Sequence, residues 1–190
     1  MNIRSLLVLP IGLLVIGLAL GNGSVVAEEA AQGKDSKKEQ IDSMASEALS
    51  AVLAESSGAK GLFESAYGYA VFDNWKFAFG ISGGGGAGVA VAKADERRTY
   101  MKMGTGGVGL GLGGQKYQVV FLIQDESTFN RFVNSGWQAD TQAGVAAGTE
   151  GASAASSFHQ GLAIFQLTEK GLMANAEVTG TKYWKHKKLN

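Results

Sequence analysis

Between Met103 and Gly114 the chain alternates glycine with aliphatic residues: Gly107, Gly109, Gly111 and Gly113 stand between and beside Val108, Leu110 and Leu112. Successive residues of a strand face opposite sides, so such a strand is aliphatic on one face and bare backbone on the other. Glycine weakens a strand through backbone entropy and gives it nothing to pack with. Four glycines on one face therefore require a close neighbour there: a helix, another strand or a ligand.

The pattern has an echo upstream. Phe79–Lys93 carries a glycine run, alternating aliphatics and a closing lysine, as does Met103–Lys116. Two copies are too few for a solenoid and read as two glycine-containing strands of one sheet. The 28 glycines are about twice ordinary usage, but they follow no three-residue period, which excludes a collagen-like chain. The one proline, Pro10, lies in an apolar N-terminal stretch, and cysteine is absent. No disulfide can staple this protein, so it must fold on its core alone.

Residues 1–27 read as an export signal, with Arg4 as the positive start, Leu6–Leu20 as the apolar stretch and a cut after Val25-Val26-Ala27. An uncleaved anchor is the alternative, although the stretch is shorter than the roughly 20 residues a spanning helix needs. The expected organisation is a signal peptide (1–27), a flexible linker (28–36), one domain (37–184) and a basic tail (185–190). Removing Arg4 from the 17 basic residues leaves 16 against 17 acidic ones. That near-neutral balance argues against a general nucleic-acid binder.

Ile41, Met44, Ala45, Ala48, Leu49, Val52 and Leu53 recur at helical spacing and predict an amphipathic helix over about 37–55, with Ser36 and Glu39 as a capping box. A short helix is expected around 60–65. Strands are expected at 67–72, 77–81, 89–93, 99–103, 104–113 and 117–123, with turns at Asp73-Asn74, Ser82–Gly86 and Ala94–Arg97. Asp125 caps a helix that carries Phe129, Phe132 and Val133 and ends at Gly136. Ala143–Gly148 reads as a strand of small residues. Leu162–Leu167 and a strand from Leu172 form a hairpin. The fold class expected is α+β: the first helix and the mid-chain helix packed on a curved, mainly antiparallel, glycine-rich sheet of seven or eight strands, with closure into a small barrel as its limit.

Chemistry-bearing motifs are sparse. Gly83-x-Gly85-x-x-Gly88 and Gly104-x-Gly106-x-x-Gly109 fit a dinucleotide fingerprint in letters. Strands rather than helices follow them, so no helix N-terminus is available for a pyrophosphate. His159 and His186 stand far apart, which gives no metal spacing. No nucleophile elbow surrounds a serine, and no catalytic residue is assigned. No cofactor, metal or enzymatic activity is expected. Aromatic and basic residues do fall together, in Lys182-Tyr183-Trp184-Lys185 with Lys187 and Lys188, and again at Trp75-Lys76. Such pairs suit an anionic membrane surface; a solvated terminus is the plain alternative. The helix at 37–55 could lie on a membrane or simply cover the sheet.

Six segments in order resemble the SYLF domain: Ala66–Phe72, Lys76–Val89, Val108–Gly113, Ser127–Phe132, Gln138–Gly148 and Lys170–Gly180. The chain looks like an exported bacterial member over about residues 37–184. That resemblance implies a lipid-binding module. Eukaryotic members bind phosphoinositides through a basic, amphipathic N-terminal segment, which here points to Lys37, Lys38 and Lys60. The matching segment also holds Glu39, Asp42, Glu47 and Glu55, a departure from a basic segment. Fungal members bind actin; actin is not an expected partner here, because export would separate the two. The function expected is peripheral recognition of anionic phospholipid or phosphoinositide-like headgroups, in the periplasm or outside the cell. The alternative is a structural or interaction protein of the envelope without lipid dependence. Oligomeric state is left open.

Overall fold

The computed structural model describes residues 22–138, 157–169, 171–174 and 180–190. The elements run α1 (Asn22–Glu55), α2 (Ser57–Ser65), β1 (Gly68–Ala92), β2 (Arg98–Ile123), α3 (Glu126–Ser135), β3 (Trp137–Gln138), β4 (Leu162–Thr168), β5 (Gly171–Ala174) and β6 (Thr181–Lys185). The expected strand at 143–148 lies outside the described residues.

The expected α+β class is observed, with the helices divided between the two faces of the sheet. Strands β1 and β2 pair antiparallel along their whole length, from Gly68 opposite Ile123 to Val91 opposite Arg98, with one irregularity at Phe79/Gly80. The other edge of β2 receives β6 at Met101–Thr105 and β4 at Tyr117–Ile123. β3 extends the β6 end and β5 the β4 end. The result is a curled antiparallel half-barrel, and among the described residues no pairing joins its ends.

Both faces of the long strands are apolar and both are covered. Val71, Val89, Val91, Tyr100, Val120 and Leu122 pack with Ile41, Ala45, Ala48, Leu49 and Val52 of α1 and Ala59 of α2. Their strand neighbours Phe72, Ala90, Ala92, Met101, Val119, Phe121 and Ile123 pack with Phe129, Phe132 and Val133 of α3 and with Tyr183. This is period-two alternation with a core on each side.

Local signals place the helix ends. Asp125 accepts from Thr128 N–H at 2.8 Å, and Gly136 ends α3 at φ 76, a left-handed conformation suited to glycine. Helix α2 ends at Ala66 and is finished from a distance by Lys93, whose Nζ donates to the carbonyls of Phe63 (2.6 Å), Glu64 (3.2 Å) and Ala66 (3.0 Å). A cation there also opposes the negative end of the helix dipole.

Three local expectations are corrected. Ser36 does not start α1: the helix is continuous from Asn22, so residues 28–36 are helical rather than a linker, with Ala31–Lys37 exposed on every side. Asp73-Asn74 is not a turn, nor is Ser82–Gly86 a break. β1 runs through both, because its ladder to β2 and the cores on either face outweigh the turn preference of the dipeptide. Residues 185–190, expected as a basic tail, are tied down. Leu189 is buried, and the Asn190 amide accepts from Tyr100 N at 3.0 Å and donates to Tyr100 O at 2.8 Å.

The close neighbour demanded by the glycines is visible in the first copy of the pattern. A Cβ at Gly84, Gly86 or Gly88 would collide with the carbonyl oxygens of Trp75, Asp73 and Val71 respectively. As one number rises the other falls, so the edge of the first half of β1 lies on the glycines of its second half. Gly83, just before them and facing the other way, has open space. Glycine here removes the side chains that would hold the doubled ribbon apart. In the second copy the backbone of 107–113 is strand and pairs with β1; the surroundings of its side chains lie outside the described residues.

Candidate functional site

The α1-side face of the sheet is larger than α1 and α2 can cover. Alternation continues it from Val71 to Trp75 and Phe77, from Tyr100 to Lys102 and Gly104, and back from Val120 to Lys116 and Gly114. In the register, Trp184 stands opposite Lys102 and Lys182 opposite Gly104, so both share that face. Among the described residues the large exposed hydrophobics, Trp75 (52%), Phe77 (46%) and Trp184 (39%), all lie on it. Trp75 and Phe77 stack with centroids 5.8 Å apart, above Gly114, and the Trp184 ring closes over Gly104, where a Cβ would be 3.1 Å from its edge.

Cations surround these rings. Lys102, Lys116, Lys182 and Lys188 are exposed, and Lys37 reaches toward them from α1. His186 records the gathering. Its imidazole is held below its ordinary pKa by burial first, then by Lys102, Lys188 and Lys37. Lys38 lies over the Tyr100 ring at 5.5 Å. The Tyr100 hydroxyl donates to Asp42 at 2.9 Å, and its pKa is pushed up to about 12 by burial and then by that carboxylate. Asp42 also faces Arg98 at 3.7 Å. The acidic side of α1 is thus partly spent on Tyr100 and Arg98.

Where α1 crosses the doubled ribbon it leaves a groove of about 300 Å³, lined by Lys37, Gln40, Ile41 and Met44 from the helix, by Asp73, Asn74, Trp75 and Gly85–Ala87 from β1, and by Lys116 from β2. Ala87 and Gly85 stand opposite Lys102 and Gly104, so the groove is one strand, about 5 Å, from the Trp184 patch. Asn74 is 2% exposed, and neither its Oδ1 nor its Nδ2 has a hydrogen-bond partner among the described residues.

Of the residues singled out from sequence, Lys37, Trp75, Lys182, Trp184 and Lys188 meet on this surface. Tyr183 does not. It is fully buried between Phe72, Phe121, Phe132 and Trp137, with burial raising its pKa, and it is a core residue that no membrane can reach. Lys76 is half-buried and alternates to the other face. Lys185 reaches Asn134 of α3 at 3.3 Å, also on that side. Lys187 is exposed in the terminal turn. Lys60 is exposed on α2, which packs through Phe63 on Tyr69, six residues and roughly 20 Å along β1 from Trp75. The sequence reading missed Lys102, Lys116 and Phe77 as surface partners. Each alternates with core residues, a signal readable only once the covering helix is placed. His159 is exposed, its backbone bridging to Leu162, and it does not line the groove. Among the described residues no cluster of metal-ligating side chains occurs, and no helix is long and apolar enough to cross a membrane.

Residues 104–190 match the Ysc84 family, described as "Las17-binding protein actin regulator". The chain is also 45% identical over 149 residues to Beta cell expansion factor A of Aeromonas veronii. That alignment covers 78% of this chain and 57% of the relative.

Proposed function

We propose, this chain being a member of the SYLF domain family that the Ysc84 match describes, that it is a peripheral membrane-surface protein recognising anionic phospholipid. The family is associated with lipid binding; the preference for anionic headgroups is our reading of this surface. The observation that carries it is the coincidence, on one face, of Trp75, Phe77 and Trp184 with Lys37, Lys102, Lys116, Lys182 and Lys188. Lysines near an anionic leaflet contribute about 1 kcal/mol each, and exposed indoles settle at the headgroup level. Export through residues 1–27 belongs to the same reading and puts the binding in the periplasm or outside the cell. What the relative's name says of it, and actin regulation, are not carried over.

Co-sedimentation of the chain from Glu28 with phosphatidylglycerol-containing vesicles tests this. Binding is expected to fade with added salt, because exposed charges are screened, and to be absent on zwitterionic vesicles. Equal binding to both vesicle types, or none to either, would overturn the reading in favour of an envelope interaction protein.

A further inference from the structure

We propose that the turn at 186–190 is an acid-released latch: protonation of the His186 ring frees the turn from β2 and presents Leu189, beside Trp184 and the lysines, to a membrane surface. The membrane half of this rests on the lipid reading above; the release itself does not.

After β6 the chain stays on β2 without a strand ladder. His186 N–H donates to Tyr100 O at 2.8 Å, and Leu189 N–H donates to His186 O at 3.0 Å. Asn190 takes the place of a further strand residue. Its side-chain amide accepts from Tyr100 N–H at 3.0 Å and donates to the carbonyls of Tyr100 at 2.8 Å and His186 at 2.9 Å. These bonds seat Leu189 in the α1-side core. Each of them runs through His186 or Tyr100, so a change at His186 bears on the whole turn.

The Nδ1 atom of His186 is buried and has no hydrogen-bond partner among the described residues. A neutral ring fits that site with its single proton on Nε2 and Nδ1 bare. An imidazolium carries a proton on both nitrogens, and a buried Nδ1–H without an acceptor is costly. The charges that bear on the ring are Lys102 of β2, Lys188 of the turn and Lys37 of α1, and they repel a further cation. The acids of α1 at this end are turned to Tyr100. Asp42 accepts from its hydroxyl and faces Arg98, Asp35 acts on it from farther off, and Lys38 lies over its ring. The folded imidazole is accordingly held below its ordinary pKa, by burial first and then by the lysines. Once the turn leaves β2, the ring hydrates and regains the ordinary value of 6.5. Acid therefore favours the released turn. Release also changes what the surface offers: Leu189 joins Trp184, and the imidazolium joins Lys185, Lys187 and Lys188. Apolar side chains among cations suit an anionic interface.

Amide hydrogen exchange read by NMR from about pH 7.5 to about pH 5, corrected for intrinsic rates, tests the release. Protection at Tyr100 and Leu189 is expected to fall as pH drops through 6.5, by at most about tenfold per pH unit, and to level off below the folded value. The amide of Phe121, a fully buried residue of β2, should stay protected. His186→Gln should hold protection level across the range, and Asp42→Asn should leave the fall in place. Unchanged protection in the parent, or a parallel fall at Phe121, overturns the latch, and both are read without any variant. A fall that survives His186→Gln, or that vanishes in Asp42→Asn, overturns it as well. A second arm measures co-sedimentation with phosphatidylglycerol vesicles at both ends of the range. A severalfold gain at acid pH that is lost in His186→Gln upholds the link to the membrane, and an equal gain in both proteins breaks it. Release by exchange with no vesicle binding at either pH upholds the latch and overturns the lipid reading alone.

Discussion

The two faces of the sheet use the same residue types to opposite ends. On the α3 side Phe72, Phe121, Phe132, Trp137 and Tyr183 form one interlocked set, with ring centroids 4.6–6.4 Å apart, and all but Trp137 are buried. On the α1 side Trp75, Phe77 and Trp184 stand in solvent among lysines. Tyr183 and Trp184 are consecutive, yet one is at the centre of a core and the other on the surface. Aromatic content therefore says little by itself; what decides is whether a helix lies over that face.

If the α3 side is aromatic for stability, Phe121→Ala should give the largest effect. Phe121 touches Phe72, Phe132, Trp137 and Tyr183, and truncating a buried phenylalanine costs about 3–5 kcal/mol. Urea unfolding should show a large fall in midpoint. A loss under about 1 kcal/mol would mean that this face is not the structural one.

The ribbon itself offers the next contrast. Gly88→Val places a side chain against Val71 O and the Phe72 ring, whereas Gly83→Val enters open space. Overpacking of this kind costs roughly 1–3 kcal/mol, so the first variant should melt well below the second. Equal melting temperatures would refute the doubling-back of β1. The α1 side should behave differently again. Trp184→Ala is expected to change stability by about 1 kcal/mol or less and to weaken vesicle binding severalfold, read by co-sedimentation. A variant that unfolds instead would move Trp184 from the binding surface into the core.

That division explains what could be read from the chain. The apolar face of α1 at Ile41–Leu53, the Asp125 cap, the Gly136 stop and the hairpin after Leu162 are local patterns, and each appears where the sequence puts it. The helical extension to Asn22 carries no apolar stripe and was not legible. Nor was the fate of Asp73-Asn74, because a turn-forming pair can be held straight by a partner strand. Most of the site depended on register: Lys102 joins Trp184 only because β6 pairs with β2 at Met101–Thr105. Alternation says that Tyr183 and Trp184 differ, but not which one faces inward.

His186 gives the smallest and most local test, at the border between the two regimes. Burial first, and then Lys102, Lys188 and Lys37, hold its pKa below the ordinary 6.5, so the folded protein favours the neutral ring. The unfolded chain then binds the proton more readily. The stability this group contributes is fully present above pH 6.5 and is lost as pH falls through the folded value. His186→Gln should flatten that part of the stability–pH profile, with the difference from the parent confined to the acid side. An anion held among the same lysines should raise the His186 pKa toward or above its ordinary value, since it opposes their repulsion. Following the ring protons by NMR across pH, with and without phosphatidylglycerol vesicles, reads both effects. A pKa that vesicles leave unmoved would place bound lipid away from Lys37, Lys102 and Lys188, and would break the link between the exposed aromatics and the charge beside them.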